Sequence, residues 1–287
     1  MHPKILAAQP LVTELKKELH QRCEALKNRG VTPSMCVVLV GDNPASLTYI
    51  KNKQKVCEEV GAQFRLIQMP ASIGAQDFLS QLNKLNLDPS VHGIIIQLPV
   101  SESLKVLNIP NLVTPEKDID GFNGVNTQTI YTGTTNLKLL LPCTPKGIIN
   151  LLNYYGISLD GKHVVVIGRS LIVGKPLSMM LSNLNATVTL AHSKTKNLKQ
   201  LTQLADIIIS AVGKSEFIGS DFLAHHSSQI LIDVGINSFD GKLTGDISKE
   251  AQDKSLAFTP VPGGVGPMTV ISLIENLITA TENQVKG

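Results

Sequence analysis

The chain has 287 residues, 43% hydrophobic and 17% charged, with a formal net charge of +3. That length predicts about two domains, with a core large enough to do without disulfides or a structural metal. The small charge, the absence of Trp and the 4% aromatic content exclude a nucleic-acid footprint and base-stacking platforms. Cys23, Cys36, Cys57 and Cys143 are scattered with no CxxC pair, so reduced, buried thiols are expected and a zinc site is not. The N-terminal MHPKILAAQPLVTELKKELH lacks the apolar core and cleavage site of a signal peptide, and no apolar run is long enough to span a bilayer. A cytoplasmic protein without membrane partners is expected.

Residues 11–28 carry apolar side chains at helical spacing, with Leu11, Leu15, Leu19, Cys23 and Leu26 on one side. Met35–Val40 reads as a strand ending at Gly41. A helix is predicted from Ala45 to Val60, with Asn43 as N-cap, Pro44 in the first turn and Gly61 as the stop. Phe64–Met69 reads as a strand, Gln76–Asn83 as part of a helix, and Val91–Leu98 as a third strand. Residues 99–142 are irregular, and the main boundary falls within them. A helix then runs to about Tyr155, with Thr144 as N-cap and Pro145 as its first residue. A second α/β series follows, with strands at 163–167, 187–191, 206–211, 230–234 and near 257–258. Thr269–Thr281 is helical and expected to return to the first domain. Strands separated by helices predict parallel sheets built from right-handed βαβ units.

VVVIGRSLIVGKP, residues 164–176, is a strand entering a glycine turn and then a helix. Gly168 suits the tight turn, Gly174 suits close helix approach, and the helix N-terminus offers N–H groups to a phosphate. The spacing is not GxGxxG, so a turn whose glycines serve packing alone also fits. In NAD sites the next strand usually ends in an acid that binds the ribose 2′-OH. Here His192-Ser193-Lys194-Thr195-Lys196 follows instead. Together with Arg169, this neutral-to-basic run suits the 2′-phosphate of NADP, against the alternative of a solvated loop with incidental lysines.

On the helix over residues 49–60, Tyr49, Ile50, Lys53, Val56, Cys57 and Val60 share one stripe, so Lys53 is the single charge on an apolar face. A snorkelling lysine fits that position, and so does a desolvated amine placed for proton transfer. Gln97 ends an apolar strand, where open α/β sheets collect ligands.

GDNPASLTYIKNKQKVCEEVG, GIIIQLPV, PEKDIDGFN, PCTPKGI, GRSLIVGKP and TPVPGGVGPMT occur in this order across nearly the whole chain. This set resembles the bifunctional methylenetetrahydrofolate dehydrogenase/methenyltetrahydrofolate cyclohydrolase family. The resemblance implies two α/β domains around a cleft, the second a Rossmann-type parallel sheet binding NADP. It places a catalytic domain at residues 1–120 plus 269–287 and an NADP domain at 121–268. It implies that Lys53 is catalytic, that Gln97 hydrogen-bonds it, that Tyr49 flanks the substrate and that Asp120 anchors the pterin. Leu98 and Pro99 are expected beside that substrate, and Pro262, Gly263 and Gly264 form a second substrate-facing loop. Gly168, Arg169, Ser170, Ser193 and Ile236 match positions that touch NADP. Tetrahydrofolate one-carbon derivatives are the implied substrates, no metal is implied, and the state is a homodimer.

After Asp120 the chain reads GFNGVNTQTIYTG where the family usually shows His-Pro and a following glycine, and the stretch through Leu141 departs as well. The rival readings are a dehydrogenase without cyclohydrolase activity, a non-catalytic NADP or folate binder, and a hydroxy-acid or amino-acid dehydrogenase on a similar fold.

Overall fold

The architecture is that of a computed structural model, in which residues 4–133, 139–224, 228–239 and 242–285 are described. The chain opens with β1 (Lys4–Ile5), α1 (Gln9–Lys27), β2 (Ser34–Val40), α2 (Pro44–Val60), β3 (Gln63–Met69), α3 (Ala75–Leu87) and β4 (Gly93–Ile96). Then come α4 (Gly124–Tyr131), α5 (Cys143–Tyr154), β5 (His163–Ile167), α6 (Gly174–Asn183), β6 (Thr187–Ala191), α7 (Leu198–Gln203) and β7 (Ile207–Ser210). It closes with β8 (Ile230–Asp233), β9 (Asn237–Phe239), β10 (Lys242–Thr244), α8 (Lys249–Lys254), β11 (Ala257–Phe258) and α9 (Val265–Val285). Two compact units result, one of Met1–Val12 with Thr144–Thr269, the other of Thr13–Cys143 with Val270–Gly287.

The first of these holds six strands in the order β1-β11-β8-β7-β5-β6, every neighbouring pair parallel. Parallel strands covered on both faces need continuous apolar runs. Val164–Ile167 and Ile207–Ile209 supply them and are buried throughout. The chain's first residues complete one edge: Leu6 N donates to Phe258 O at 2.8 Å, and the Tyr155 hydroxyl donates to Ala7 O at 2.8 Å. The Lys4 ammonium lies 4.9 Å from the centre of the Tyr155 ring. By compactness the first twelve residues therefore group with the six-stranded unit, held there by a two-residue strand.

The second unit carries a parallel sheet in the order β3-β2-β4. The central strand β2 is buried along its whole length. Arg22 on α1 makes two hydrogen bonds to the Glu282 carboxylate on α9, at 3.0 and 2.9 Å, and a third to Thr279 Oγ1 at 3.1 Å. This pins the end of α9 to the three-stranded unit.

Several expectations shift. Strand β4 stops at Ile96, two residues earlier than the apolar run suggests, although Gln97 N still donates to Val38 O at 2.9 Å. Helix α5 starts at Cys143, so Thr144 is inside it and is not its N-cap; its hydroxyl pairs with that of Thr269 at 3.0 Å. Residues 121–143 group by compactness with the three-stranded unit. Within them α4 forms because the Asn123 side chain caps it, accepting from Val125 N at 2.8 Å. Residues 134–138 of the atypical stretch lie outside the described residues.

The turn from β5 into α6 depends on two glycines. Gly168 has φ +123°, and a Cβ on Gly174 would sit 1.8 Å from the Gly168 carbonyl oxygen. Gly174→Ala must therefore push the helix off the strand; it is expected to destabilise the six-stranded unit by about 3 kcal/mol or more in urea unfolding.

Candidate active site

Helix α2 is framed by its ends. Asn43 Oδ1 accepts from Ser46 N at 3.1 Å, Pro44 occupies the first turn, and Gly61 closes the helix in the left-handed region at φ 94°. That framing turns Ser46, Ile50, Lys53, Cys57 and Val60 inward. Lys53 is 6% exposed, which decides against a snorkelling side chain. Its Nζ donates to Gln97 Oε1 at 3.0 Å and lies 5.2 Å from the centre of the Tyr49 ring. Gln97 Nε2 donates to Leu98 O at 2.9 Å, which turns the amide oxygen toward the lysine. Leu98 and Pro99 follow as exposed residues, joined by a cis peptide bond.

Asp120 enters beside β4. Ile94 N donates to Lys117 O at 2.8 Å, and Ile94 and Asp118 form a single parallel bridge, so 117–120 runs alongside the strand that delivers Gln97. Asn276 on α9 donates to Ile119 O at 2.9 Å and to Leu141 O at 2.8 Å, and Cys143 Sγ donates to Ile119 O at 3.2 Å. Asp118 holds the following turn, accepting from Gly121 N at 3.1 Å, Asn123 N at 2.7 Å and Asn126 Nδ2 at 2.9 Å. Gly121 has φ +75°, and a Cβ there would lie 2.4 Å from the Leu141 carbonyl carbon. Asp120 thus sits on backbone fixed from both sides.

Electrostatics tie the same groups together. Burial pushes the Asp120 carboxyl up from its ordinary range while the Lys53 charge pulls it down. The Tyr49 phenol is pushed up to about 12 by burial, with Asp120 and Cys143 adding to the rise, so it remains an O–H donor across the neutral range. The sequence reading brought out Tyr49, Lys53, Gln97 and Asp120, and all four lie in the three-stranded unit. It missed Asp118, Cys143 and Asn276. An acid two residues before Asp120 inside KDIDG was the available signal for Asp118, since residues i and i+2 of an extended segment share one side.

In the six-stranded unit the predicted phosphate site differs from expectation. The first N–H groups of α6 are already engaged: Val173 N and Gly174 N donate to Ser170 Oγ at 3.2 and 3.4 Å, and Lys175 N donates to Ser170 O at 3.1 Å. Pro176 has no N–H to offer. Ser170 thus ties down the turn into α6, and the exposed segment Arg169–Leu171 is left facing outward. At the end of β6, His192 N donates to Thr195 Oγ1 at 2.8 Å and Lys194 N donates to His192 Nδ1 at 3.2 Å, folding a tight loop with Ser193 exposed. No carboxylate occurs between His192 and Lys196, so this donor set fits NADP, with cations for a 2′-phosphate and no acid for a 2′-OH. Ile236 is 55% exposed after β8. Pro262, Gly263 and Gly264 lie on the loop into α9, where Ala8 N donates to Gly263 O at 2.8 Å. Among the described residues no His, Cys, Asp and Glu side chains cluster as a metal site, and no helix is long and apolar enough to cross a membrane.

Comparison with known proteins gives two family matches. Residues 6–120 match the tetrahydrofolate dehydrogenase/cyclohydrolase catalytic domain, and residues 142–285 match the NAD(P)-binding domain of the same family. The chain is 44% identical over 280 residues to the bifunctional protein FolD of Oceanobacillus iheyensis, covering 97% of this chain and 96% of that protein. It superposes on the crystal structure of the bifunctional FolD dehydrogenase/cyclohydrolase from Campylobacter jejuni with a TM-score of 0.93 at 42% identity, covering 98% and 99% of the two chains. It also superposes on the Trypanosoma brucei enzyme complexed with NADP cofactor and an inhibitor, with a TM-score of 0.93 at 28% identity over 100% of both chains.

Burial pushes the Asp118 carboxyl from 3.8 up to about 6 despite its three donors. The native state therefore holds a proton that the unfolded chain has released between about pH 4 and 6, and stability falls as pH rises through that window. Asp118→Asn removes this share. The stability difference between wild type and variant, measured by urea unfolding, is expected to change across pH 4–6 and to be flat above it, whereas a constant difference across the window rejects the assignment.

Proposed function

The chain belongs to the tetrahydrofolate dehydrogenase/cyclohydrolase family, and from its side-chain geometry we propose how its residues divide the two reactions. The first oxidises 5,10-methylenetetrahydrofolate to 5,10-methenyltetrahydrofolate; the second hydrolyses that product to 10-formyltetrahydrofolate. NADP, when bound, accepts the hydride of the first reaction. The observation that carries the reading is the buried Lys53 amine hydrogen-bonded to Gln97 at 3.0 Å.

For the oxidation the chain's task is placement, which supplies roughly 7–11 kcal/mol in well-oriented reactions. Asp120 accepts the N–H donors of the pterin in a paired geometry. The Tyr49 ring, which neighbours Lys53, flanks the substrate, with Leu98 and Pro99 beside it; Pro262–Gly264 remains the substrate-facing loop that the family resemblance implies. Gly168 permits the tight turn under the cofactor. Arg169, Ser170 and Ser193 receive the 2′-phosphate end, and exposed Ile236 receives the other.

For the hydrolysis, the substrate is a cation. The buried Lys53 amine is the group placed to take a proton from the attacking water. Gln97 suits this task because its oxygen orients one amine N–H without adding charge. Loss of that proton to Lys53 accompanies formation of the carbon–oxygen bond; its return to the ring nitrogen N5 accompanies cleavage of the carbon–N5 bond, and the remaining hydroxyl proton leaves to solvent as the formyl carbonyl forms on N10. We further propose a cytoplasmic homodimer that feeds formyl-transfer reactions such as those of purine synthesis. The scattered cysteines, none of them in a disulfide, support a reducing compartment.

Lys53→Met keeps an unbranched apolar stem on the buried face and removes the amine. It is expected to lower the cyclohydrolase rate at least about a hundredfold while the folded state persists, as read from the decay of methenyltetrahydrofolate absorbance and from circular dichroism. A wild-type rate would remove Lys53 from the mechanism. Arg169→Ala is expected to raise KM for NADP⁺ far more than KM for NAD⁺ in parallel steady-state assays; equal increases reject the phosphate assignment.

A further inference from the structure

Asp233 and Asp246 are buried in the six-stranded unit, at 1% and 0% exposure. Asp246 Oδ2 accepts from Ser210 Oγ at 3.0 Å, Val212 N at 2.7 Å and Gly213 N at 3.2 Å. Its Oδ1 accepts from Lys214 N at 2.9 Å and Asn237 Nδ2 at 3.2 Å. Asp233 backs this arrangement: Oδ1 accepts from Gly235 N at 3.0 Å and Asp246 N at 2.9 Å, and Oδ2 from Ile247 N at 2.9 Å. The packing leaves no slack. A Cβ on Gly235 would lie 2.0 Å from Asp246 Oδ1, and one on Gly245 would lie 2.0 Å from Asp233 Oδ2.

Burying two neighbouring carboxylates is costly where apolar side chains would pack more cheaply. What they hold is specific: the loops that leave the carboxyl ends of β7 and β8. In the sheet order β6-β5-β7-β8 the chain reverses direction of travel between β5 and β7, the switch point over which a dinucleotide lies. With the adenosine 2′-phosphate half at Arg169 and the end of β6, the nicotinamide half falls over the β7 and β8 loops. There Ile236 stands between Gly235, tied to Asp233, and Asn237, tied to Asp246.

We infer that Asp246, supported by Asp233, is a positioning residue for the nicotinamide half of NADP. It fixes Val212–Lys214 and Gly235–Asn237 in one shape before the cofactor arrives and touches neither the cofactor nor folate. The inference rests on the assignment of the 2′-phosphate to Arg169 and Ser193.

Calorimetric titration with NADP⁺ and with 2′,5′-ADP, which is the adenosine half alone, separates positioning from general structural support. An amide at position 246 turns an NH₂ toward N–H donors in either orientation. Asp246→Asn is therefore expected to raise Kd for NADP⁺ at least about tenfold and to leave Kd for 2′,5′-ADP within about twofold. Cyclohydrolase turnover on methenyltetrahydrofolate, carried by Lys53 in the other unit, is expected to stay within about twofold. Asn237→Ala removes one donor and no charge, and is expected to shift NADP⁺ binding in the same direction by about threefold; it decides the matter if Asp246→Asn does not fold. An equal rise for both ligands, unchanged NADP⁺ binding, or parallel loss of cyclohydrolase activity overturns the inference. Arg169→Ala run alongside keeps the two readings apart: it weakens 2′,5′-ADP binding if the phosphate assignment is right, and leaves it unchanged if that assignment is what fails.

Discussion

A lysine nitrogen inside an apolar face is tolerable only with a partner, and the 3.0 Å hydrogen bond to Gln97 provides it. Much of the three-stranded unit serves that contact. The Asn43 cap and the Gly61 stop set the rotation of α2, and the register of β4 against β2 sets how far Gln97 projects. The Leu98 carbonyl then decides which end of the amide faces the amine. Because Gln97 is neutral, the local charge balance is left to Asp120 and to whatever binds, which suits a site whose substrate changes from neutral to cationic between two reactions.

Both units use buried carboxylates as loop fasteners. Asp118 gathers two backbone N–H groups and a side-chain amide around the turn that carries Asp120. Asp246 and Asp233 do the same with the loops beyond β7 and β8. Such groups differ from the exposed pairs Lys249–Asp253 and Lys254–Glu250, which contribute little because water screens them. A buried carboxylate with several N–H donors fixes directions as well as distances, and a site that aligns two reactants needs both.

The sequence revealed what is periodic. The stripe of α2, the apolar runs of β2, β5 and β7 and the cap residues Asn43 and Gly61 follow from spacing and from backbone preference, and Lys53 stands out because it breaks such a stripe. Gln97 stood out as the polar residue closing an apolar strand, whereas Asp120 lies in a turn after a single bridge, and the resemblance to known motifs drew attention to it. Three kinds of feature escaped. The strand β1 is too short to show a pattern, and α4 depends on the Asn123 cap more than on an apolar face. The engagement of the α6 N–H groups by Ser170 is a matter of side-chain rotation. Asp233, which ends the apolar run ILID, was the clearest overlooked signal, since an acid closing a buried strand needs donors that only distant chain can bring.

The pairing of Ile5 with Phe258 sets an order on folding. The two strands lie at opposite ends of the described residues, so this edge of the sheet forms only when distant segments meet. Until they do, β11 presents an open strand edge of the kind that invites pairing with other chains. Closing that edge is a non-local step, slower than the neighbouring βαβ contacts that build the rest of the sheet.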